Sequence, residues 1–217
     1  MPLDYLLSEE RAVNLASRIK IGTRIEGLDV LSHTRHADTI HLAVVDEEGT
    51  SVSFINSIFD DFGSAIMAPK SGIILHNRGS GFTLQEGHPN CLAGRKKPLH
   101  TIIPALLTKD DETVMAFGVT GAHFQPMGQV QILTNVVDYG MGIQEAIDSP
   151  RFFAYEDSFE VEETIPEDTV AALRKLGHDV KRATKPLGTA QAIWIDQESG
   201  VLRAGADSRR DGCALGY

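Results

Sequence analysis

His36-Ala37-Asp38-Thr39-Ile40-His41-Leu42-Ala43-Val44-Val45-Asp46 passes from a polar stretch into an apolar run that closes at the acidic turn Glu47-Glu48-Gly49. A second apolar run returns at once, Ser51-Val52-Ser53-Phe54-Ile55-Asn56-Ser57-Ile58. Two runs rich in β-branched and large apolar residues, joined by a glycine-containing turn, predict a β-hairpin. Thr39 opens its first strand. A threonine there is either an ordinary β-branched strand residue or, if the chain is cut just ahead of it, an N-terminal nucleophile whose own amine acts as base.

Working outward, Ser8-Glu9-Glu10 caps a helix with Ala12, Leu15, Ala16 and Ile19 at helical spacing and Gly22 beyond its end. Residues 21–38 hold no sustained period and read as an exposed, cleavable linker. After the hairpin, Asp60-Asp61-Phe62-Gly63-Ser64 and Met67 to Gly72 are loop signals. Residues 76–98 form a long Gly/Pro/Asn/Ser-rich loop, a length that in a compact domain usually marks function. An apolar run, Leu99 to Leu107, is broken by Pro104 and leads through Thr108-Lys109-Asp110-Asp111-Glu112-Thr113 to the strand Val114 to Phe117, ending at Gly118-Val119-Thr120-Gly121. Helices are expected over Pro126 to Asp138, with Val130, Leu133, Val136 and Val137 inward, and over Ile143 to Asp148. Another should start with Pro166 as its first residue, turning Val170, Leu173 and Leu176 inward and ending at Gly177. A last hairpin pairs Gln191 to Asp196 with Val201 to Ala204 about Glu198-Ser199-Gly200. Strands, then helices, then strands again make an α+β domain of sheets covered by helices.

The chain has 217 residues, 42% apolar and 23% charged, enough for one sizeable core. A formal net charge of −10 argues against a nucleic-acid partner, because phosphate binding needs a Lys/Arg surplus. Arg95-Lys96-Lys97 is the one tight basic cluster and reads as a solvated loop. Cys91 and Cys213 stand far apart and read as free thiols. His33, His36 and His41 match no metal-ligand spacing. No GxSxG elbow or P-loop lysine occurs, and no metal or other cofactor is expected. No apolar run approaches the ~20 residues of a membrane helix, which argues against a membrane partner. Met1 to Leu7 lacks the basic start and apolar core of a signal peptide, which points to the cytoplasm unless the chain is a fragment whose leader is out of view.

Several ordered pieces together carry a resemblance. They are the Thr-x-His strand with Val44-Val45-Asp46, Gly72-Ile73-Ile74-Leu75-His76-Asn77, Lys97-Pro98-Leu99-His100-Thr101-Ile102-Ile103-Pro104, Gly118-Val119-Thr120-Gly121-Ala122 and Ala206-Asp207-Ser208-Arg209-Arg210-Asp211-Gly212. Across nearly its whole length the chain resembles the gamma-glutamyltransferase (glutathione hydrolase) family. Residues 39–217 look like the family's small subunit and residues 1–38 like the tail of its large subunit. The resemblance implies the four-layer αββα sandwich of N-terminal-nucleophile hydrolases. It also implies self-cleavage at Asp38–Thr39 by an N→O acyl shift, after which Thr39 is the catalytic nucleophile. By the same resemblance, Ser57 bonds the nucleophile's oxygen, and Gly121 and Ala122 supply the oxyanion hole. His100 and Thr101 match two serines that bind the substrate carboxylate. Ala122 stands where the family has glycine; a backbone donor survives there unstrained only if φ is negative.

The departures bear on the substrate. The family's ammonium-binding Asp falls at Gly81, its neighbouring acid at Ser80, an Asn at Phe59, and Arg78 replaces an amide side chain. An ammonium wants a carboxylate, whereas a guanidinium favours a carboxylate or phosphate ligand. Arg78 therefore suits a carboxylate-bearing acyl group without the α-amine, as in the family's glutaryl- and cephalosporin-type acylases. The expectation is an acyl-transferring or hydrolysing enzyme working through a Thr39 ester on a small γ-glutamyl or related amide. It would need a large-subunit chain or a missing N-terminal region. The competing expectation is a non-catalytic fragment.

Overall fold

The computed structural model describes residues 3–25, 38–155 and 158–217. The linker histidines His33 and His36, and most of the expected cleavable segment, lie outside the described residues. The chain divides into two compact units, one grouping Met1–His33 with Phe152–Thr184, the other Thr34–Arg151 with Lys185–Tyr217.

The larger unit is built on the hairpin read from sequence. Strands β1 (Asp38–Val45) and β2 (Ser51–Phe59) pair antiparallel as a two-stranded sheet. It stacks on a four-stranded antiparallel sheet of order β3-β4-β8-β9, made of Ala105–Lys109, Glu112–Val119, Ala190–Ile195 and Leu202–Ala206. Two helices, α3 (Gln125–Val137) and α4 (Ile143–Asp148), pack on the four-stranded sheet. Alternation along β4 shows that it is covered on both faces. The His41 ring lies where a side chain on Gly118 would stand, while Val119 packs against Gly128 of α3. Val114 to Thr120 are accordingly all buried. The layers run two-stranded sheet, four-stranded sheet, helices. The outer face of the hairpin carries Ile40, Leu42, Val44, Val52 and Phe54, all exposed, Ile40 to 69%.

The smaller unit holds α1 (Leu3–Leu6), α2 (Glu9–Ser17), a three-stranded sheet of β5 (Phe152–Ala154), β6 (Phe159–Val161) and β7 (Val180–Arg182), and α5 (Glu167–Lys175). Val161, Val170 and Val180 form its core, with Phe159, Ile165 and Leu173 against them. β6 and β7 run parallel, with α5 as the crossover between them.

Four expectations need correction. The buried face of α3 is Gln125, Gly128 and Ile132, not the Val130–Val137 stripe; Val130 and Val137 are exposed. The reason is Gly128, where a Cβ would come within 2.8 Å of Val119, so a bare backbone sets the close approach. The Ser8 hydroxyl caps α2 as expected, but the helix ends at Ser17, short of Ile19, and Ala12, Leu15, Ala16 and Ile19 are all exposed. Pro166 stands just outside α5 with extended ψ of 145° rather than as its first residue. Leu176, at the end of that helix, is exposed, whereas Val170 is fully buried.

Candidate active site

A β-bulge sets the position of Thr39. Asp38 faces Phe59 and Ile40 faces Asn56, so Thr39 opposes two residues of β2, Ser57 and Ile58. Bulges re-aim side chains at the end of a ladder. Here the bulge brings the Thr39 hydroxyl to donate to Ser57 Oγ at 3.2 Å. Thr39 is half-buried and lines a cleft of about 520 Å³ with His41, Thr189, Gln191, Arg210 and Cys213. Its oxygen is therefore neither lost in the core nor out of reach of Ser57.

Ser57 is a junction. Its oxygen also accepts from the Phe59 N–H at 3.1 Å and from Arg78 Nη2 at 2.8 Å. Arg78 Nη1 donates to Thr101 Oγ1 at 3.1 Å, and its guanidinium lies 5.1 Å above the centre of the Phe59 ring. The two departures Phe59 and Arg78 are thus one constellation beside the nucleophile. Arg78 is 4% exposed, and burial pulls its pKa below the ordinary value. Among the described residues its side-chain partners are the two hydroxyls and the ring, with no carboxylate. Phe59 adopts φ of 81°, a strained value for a bulky residue. Gly81, at the expected Asp position, has room for a side chain, the nearest atom to a Cβ being Leu99 O at 3.7 Å.

Thr101 is buried and held by Arg78. His100 is exposed, and its Nδ1 accepts from the Ile102 N–H. Partial burial of the ring, then the positive charges of Arg78, His76 and Lys97, lower its pKa. Two residues along β1, His41 is buried, with Nε2 2.9 Å from Ser53 Oγ, and burial lowers its pKa to about 4.

Gly121 and Ala122 follow the end of β4 and open a single 3₁₀ turn, Ala122–Phe124. The first N–H groups of such a turn have no acceptor within it. Gly121 has φ of 115° and Ala122 φ of 52°, so the condition for an unstrained alanine donor is not met. A left-handed alanine costs roughly 1–2 kcal/mol. The turn is tied sideways. Thr120 N donates to Thr189 O at 2.8 Å, Thr189 N donates to Thr120 Oγ1 at 3.1 Å, and the two hydroxyls lie 2.8 Å apart. Thr189 lines the same cleft as Thr39. The bulge, the Phe59–Arg78 stack and the Thr120–Thr189 tie were not foreseen from sequence. Gly188, which packs on Gly121, was also missed, although a glycine two residues before a strand was a usable signal.

Cys91 and Cys213 are both free. Among the described residues no group of three or more His, Cys, Asp or Glu could hold a metal, and no helix is long and apolar enough to cross a membrane.

A two-stranded sheet stacked on a four-stranded one beneath a helical layer, with a threonine second in β1, agrees with the N-terminal-nucleophile hydrolase fold expected from the resemblance. Comparison with known proteins agrees, and the gamma-glutamyltranspeptidase family model matches residues 1–217. The chain belongs to that family. It is 39% identical over 225 residues to the glutathione hydrolase-like YwrD proenzyme of Bacillus subtilis (strain 168), covering 100% of this chain and 42% of that protein. It is 37% identical over 189 residues to the oxamate amidohydrolase proenzyme of Klebsiella pneumoniae, covering 83% of this chain and 36% of that one. Among solved structures, a cephalosporin acylase from Bacillus halodurans superposes with a TM-score of 0.87 at 35% identity, covering 100% of this chain and 40% of that one. The chain spans less than half the length of these relatives.

Proposed function

We propose that this chain is the nucleophile-bearing part of an amide-cleaving acyl-transfer enzyme, with Thr39 as nucleophile after scission of Asp38–Thr39. One observation carries the reading: the bulge that opens β1 sets the Thr39 hydroxyl against Ser57 at the wall of a cleft. In the first step Thr39 Oγ attacks the Asp38 carbonyl carbon, the C–N bond breaks, and an ester and a free amine form. Water then releases Asp38 as a carboxylate. The freed α-amine, with an ordinary pKa of ~8, takes the Thr39 proton in each later attack and passes it to the departing amine. Ser57 Oγ keeps Arg78 and the Phe59 N–H as donors when Thr39 gives up its proton, so Ser57 can then turn its own hydrogen onto the developing alkoxide. Gly121 and Ala122 N–H groups take the oxyanion, where one donor is worth ~3 kcal/mol. The acyl-Thr39 ester is then resolved by water or an acceptor amine.

The substrate favoured is an acyl amide that carries a carboxylate and no α-amine. Arg78 is a buried cation without a carboxylate partner among the described residues, Gly81 has no side chain to meet an ammonium, and the Phe59 ring already lies against Arg78. The alternative, a γ-glutamyl substrate, is favoured by the family itself and by relatives named glutathione hydrolase proenzymes. A partner segment, the large subunit or the N-terminal portion of a longer precursor, is supported by the exposed apolar row of the hairpin and the exposed apolar side of α2. The cytoplasm remains the compartment we propose.

The test is Thr39→Ala in the full-length protein. Wild type should yield a fragment whose first residue is Thr39 by mass spectrometry and release p-nitroaniline from glutaryl-p-nitroanilide faster than from γ-glutamyl-p-nitroanilide. The variant should do neither. Turnover retained in the variant refutes the role of Thr39, and a reversed substrate order refutes the assignment of Arg78.

A further inference from the structure

We propose that the buried ion pair Arg151–Asp207 is the positioning device of the oxyanion turn, acting through the segment 187–190; this rests on the reading that the Gly121 and Ala122 N–H groups bind the oxyanion. The turn lies beyond the β4 ladder, which ends at Val119, and two of its residues sit at positive φ. Such backbone persists only where its surroundings over-determine it. Its lateral neighbour is the segment before β8. Thr189 makes the three contacts with Thr120, and Gly188 Cα lies 3.1 Å from where a Cβ on Gly121 would stand. The turn is therefore as well placed as residues 187–190 are.

Ala190 is held in the ladder opposite Val119, and the segment before it is gripped by one guanidinium and one carboxylate, with side-chain exposures of 2% and 0%, the carboxylate also meeting Arg209 Nη1 at 3.3 Å. Arg151 Nη1 donates to Leu187 O and Gly188 O, each at 3.1 Å. Arg151 Nη2 donates to Ile147 O at 2.9 Å and to Asp207 Oδ2 at 2.6 Å. The same Oδ2 accepts from Ala190 N at 2.9 Å, and Asp207 N donates to Ala190 O at 3.0 Å. Asp207 Oδ1 accepts from the Arg209 N–H at 3.0 Å. The pair thus grips residues 187, 188 and 190 from one side and ties them to the end of α4. Only a planar five-donor fork can hold several carbonyls and a carboxylate at once. A buried ion pair is a poor way to gain stability, which fits a device kept for geometry. Gly188 cannot carry a side chain without meeting Thr120 O and the Phe124 ring, so the two glycine backbones stack in one arrangement.

The experiment uses the full-length protein with Asp207→Asn, and Thr189→Val beside Thr189→Ser. Hydrogen exchange is followed by mass spectrometry on residues 118–124 and, as control, on residues 41–55. Asp207→Asn should speed exchange at 118–124 tenfold or more and leave the control segment unchanged. On glutaryl- and γ-glutamyl-p-nitroanilide it should lower kcat tenfold or more with KM within twofold. Thr189→Val should lower kcat in the same way and Thr189→Ser should restore it, which separates positioning from misfolding if Asp207→Asn does not accumulate. Unchanged exchange at 118–124 together with wild-type kcat overturns the proposal, as does Thr189→Val behaving like Thr189→Ser. Where wild type cleaves neither anilide, the functional reading fails by itself and the exchange rates alone decide the clamp.

Discussion

Replacing Arg78 by Met separates a residue kept for function from one kept for the fold. Breaking a buried ion pair usually costs 3–5 kcal/mol, because the abandoned partner is left charged and dry. Arg78 leaves no such partner among the described residues: its loss frees the hydroxyls of Ser57 and Thr101 and the face of Phe59. Each hydroxyl oxygen loses one donor, an uncharged acceptor is cheap to leave unfilled beside a charge, and Met fills much of the arginine stem, so the stability change should stay below about 2 kcal/mol. Burial already opposes the charge, as its lowered pKa shows. Activity should respond far more. A guanidinium has five N–H donors, and two are engaged by Thr101 and Ser57. Two of the remaining donors on a substrate carboxylate, at about 1.5–3 kcal/mol each, amount to roughly 10²- to 10⁴-fold in kcat/KM. The assay compares glutaryl-p-nitroanilide with pentanoyl-p-nitroanilide, which has the same chain without the carboxylate, in the full-length protein. Arg78→Met should erase the preference for the glutaryl compound while the urea midpoint barely moves. If kcat/KM for both compounds falls in parallel and stability drops by more than about 3 kcal/mol, Arg78 is a structural residue and the reasoning fails.

Ala122→Gly relieves left-handed strain of about 1 kcal/mol and loses a buried methyl worth about 0.8 kcal/mol. Its melting temperature should therefore stay near wild type, a balance that a shift beyond about 5 °C in either direction would contradict. Gly188→Ala must push against Thr120 O and a Phe124 ring carbon 2.9 Å away at φ of 68°, so it should destabilise by more than about 2 kcal/mol and depress kcat; a normal melt with normal kcat would count against the packed turn. His41 predicts an acid-sensitive fold. Its pKa is about 4 in the folded chain against an ordinary 6.5, so the unfolded chain binds the proton more tightly between those values. Stability is fully present above pH ~6.5 and should fall by about 2 kcal/mol on going from pH 7 to pH 5. His41→Asn should flatten that part of the urea-midpoint profile, and an equally steep profile in the variant would show that the titration belongs elsewhere.

How much of this was legible in the sequence depends on how local each feature is. The β1–β2 hairpin and the limits of α4 were readable because period and turn chemistry lie within a dozen or so residues, whereas the Thr39–Ser57 pairing came from the family resemblance. The bulge was not, since it is a difference of register between two strands rather than a pattern in either. On α3, counting hydrophobes picked valines that face out, because the decisive residue is the glycine that lets Val119 and Phe124 approach. Strands β5 to β7 have three residues each, too few to show alternation. The type of Arg78 was informative from the start, but its hold on Ser57 and Thr101 spans 21 and 23 positions. Arg151 and Asp207 are 56 positions apart, and nothing in either neighbourhood announces the other.

Backbone strain adds an argument about timing. Of the seven non-glycine residues at positive φ among the described residues, Phe62, Ala65, Arg95, Asp110 and Asp111 are exposed. The two buried ones are Phe59 and Ala122. Phe59 supplies both the ring beneath Arg78 and an N–H to Ser57, and Ala122 opens the turn whose N–H groups face no internal acceptor. Exposed strain in a turn can relax; buried strain endures only if neighbouring contacts hold it. Both residues adopt these conformations in a chain whose β1 runs unbroken from Asp38 to Thr39. The donors that would receive the oxyanion, and the hydroxyl that would steady the nucleophile, are thus set before scission.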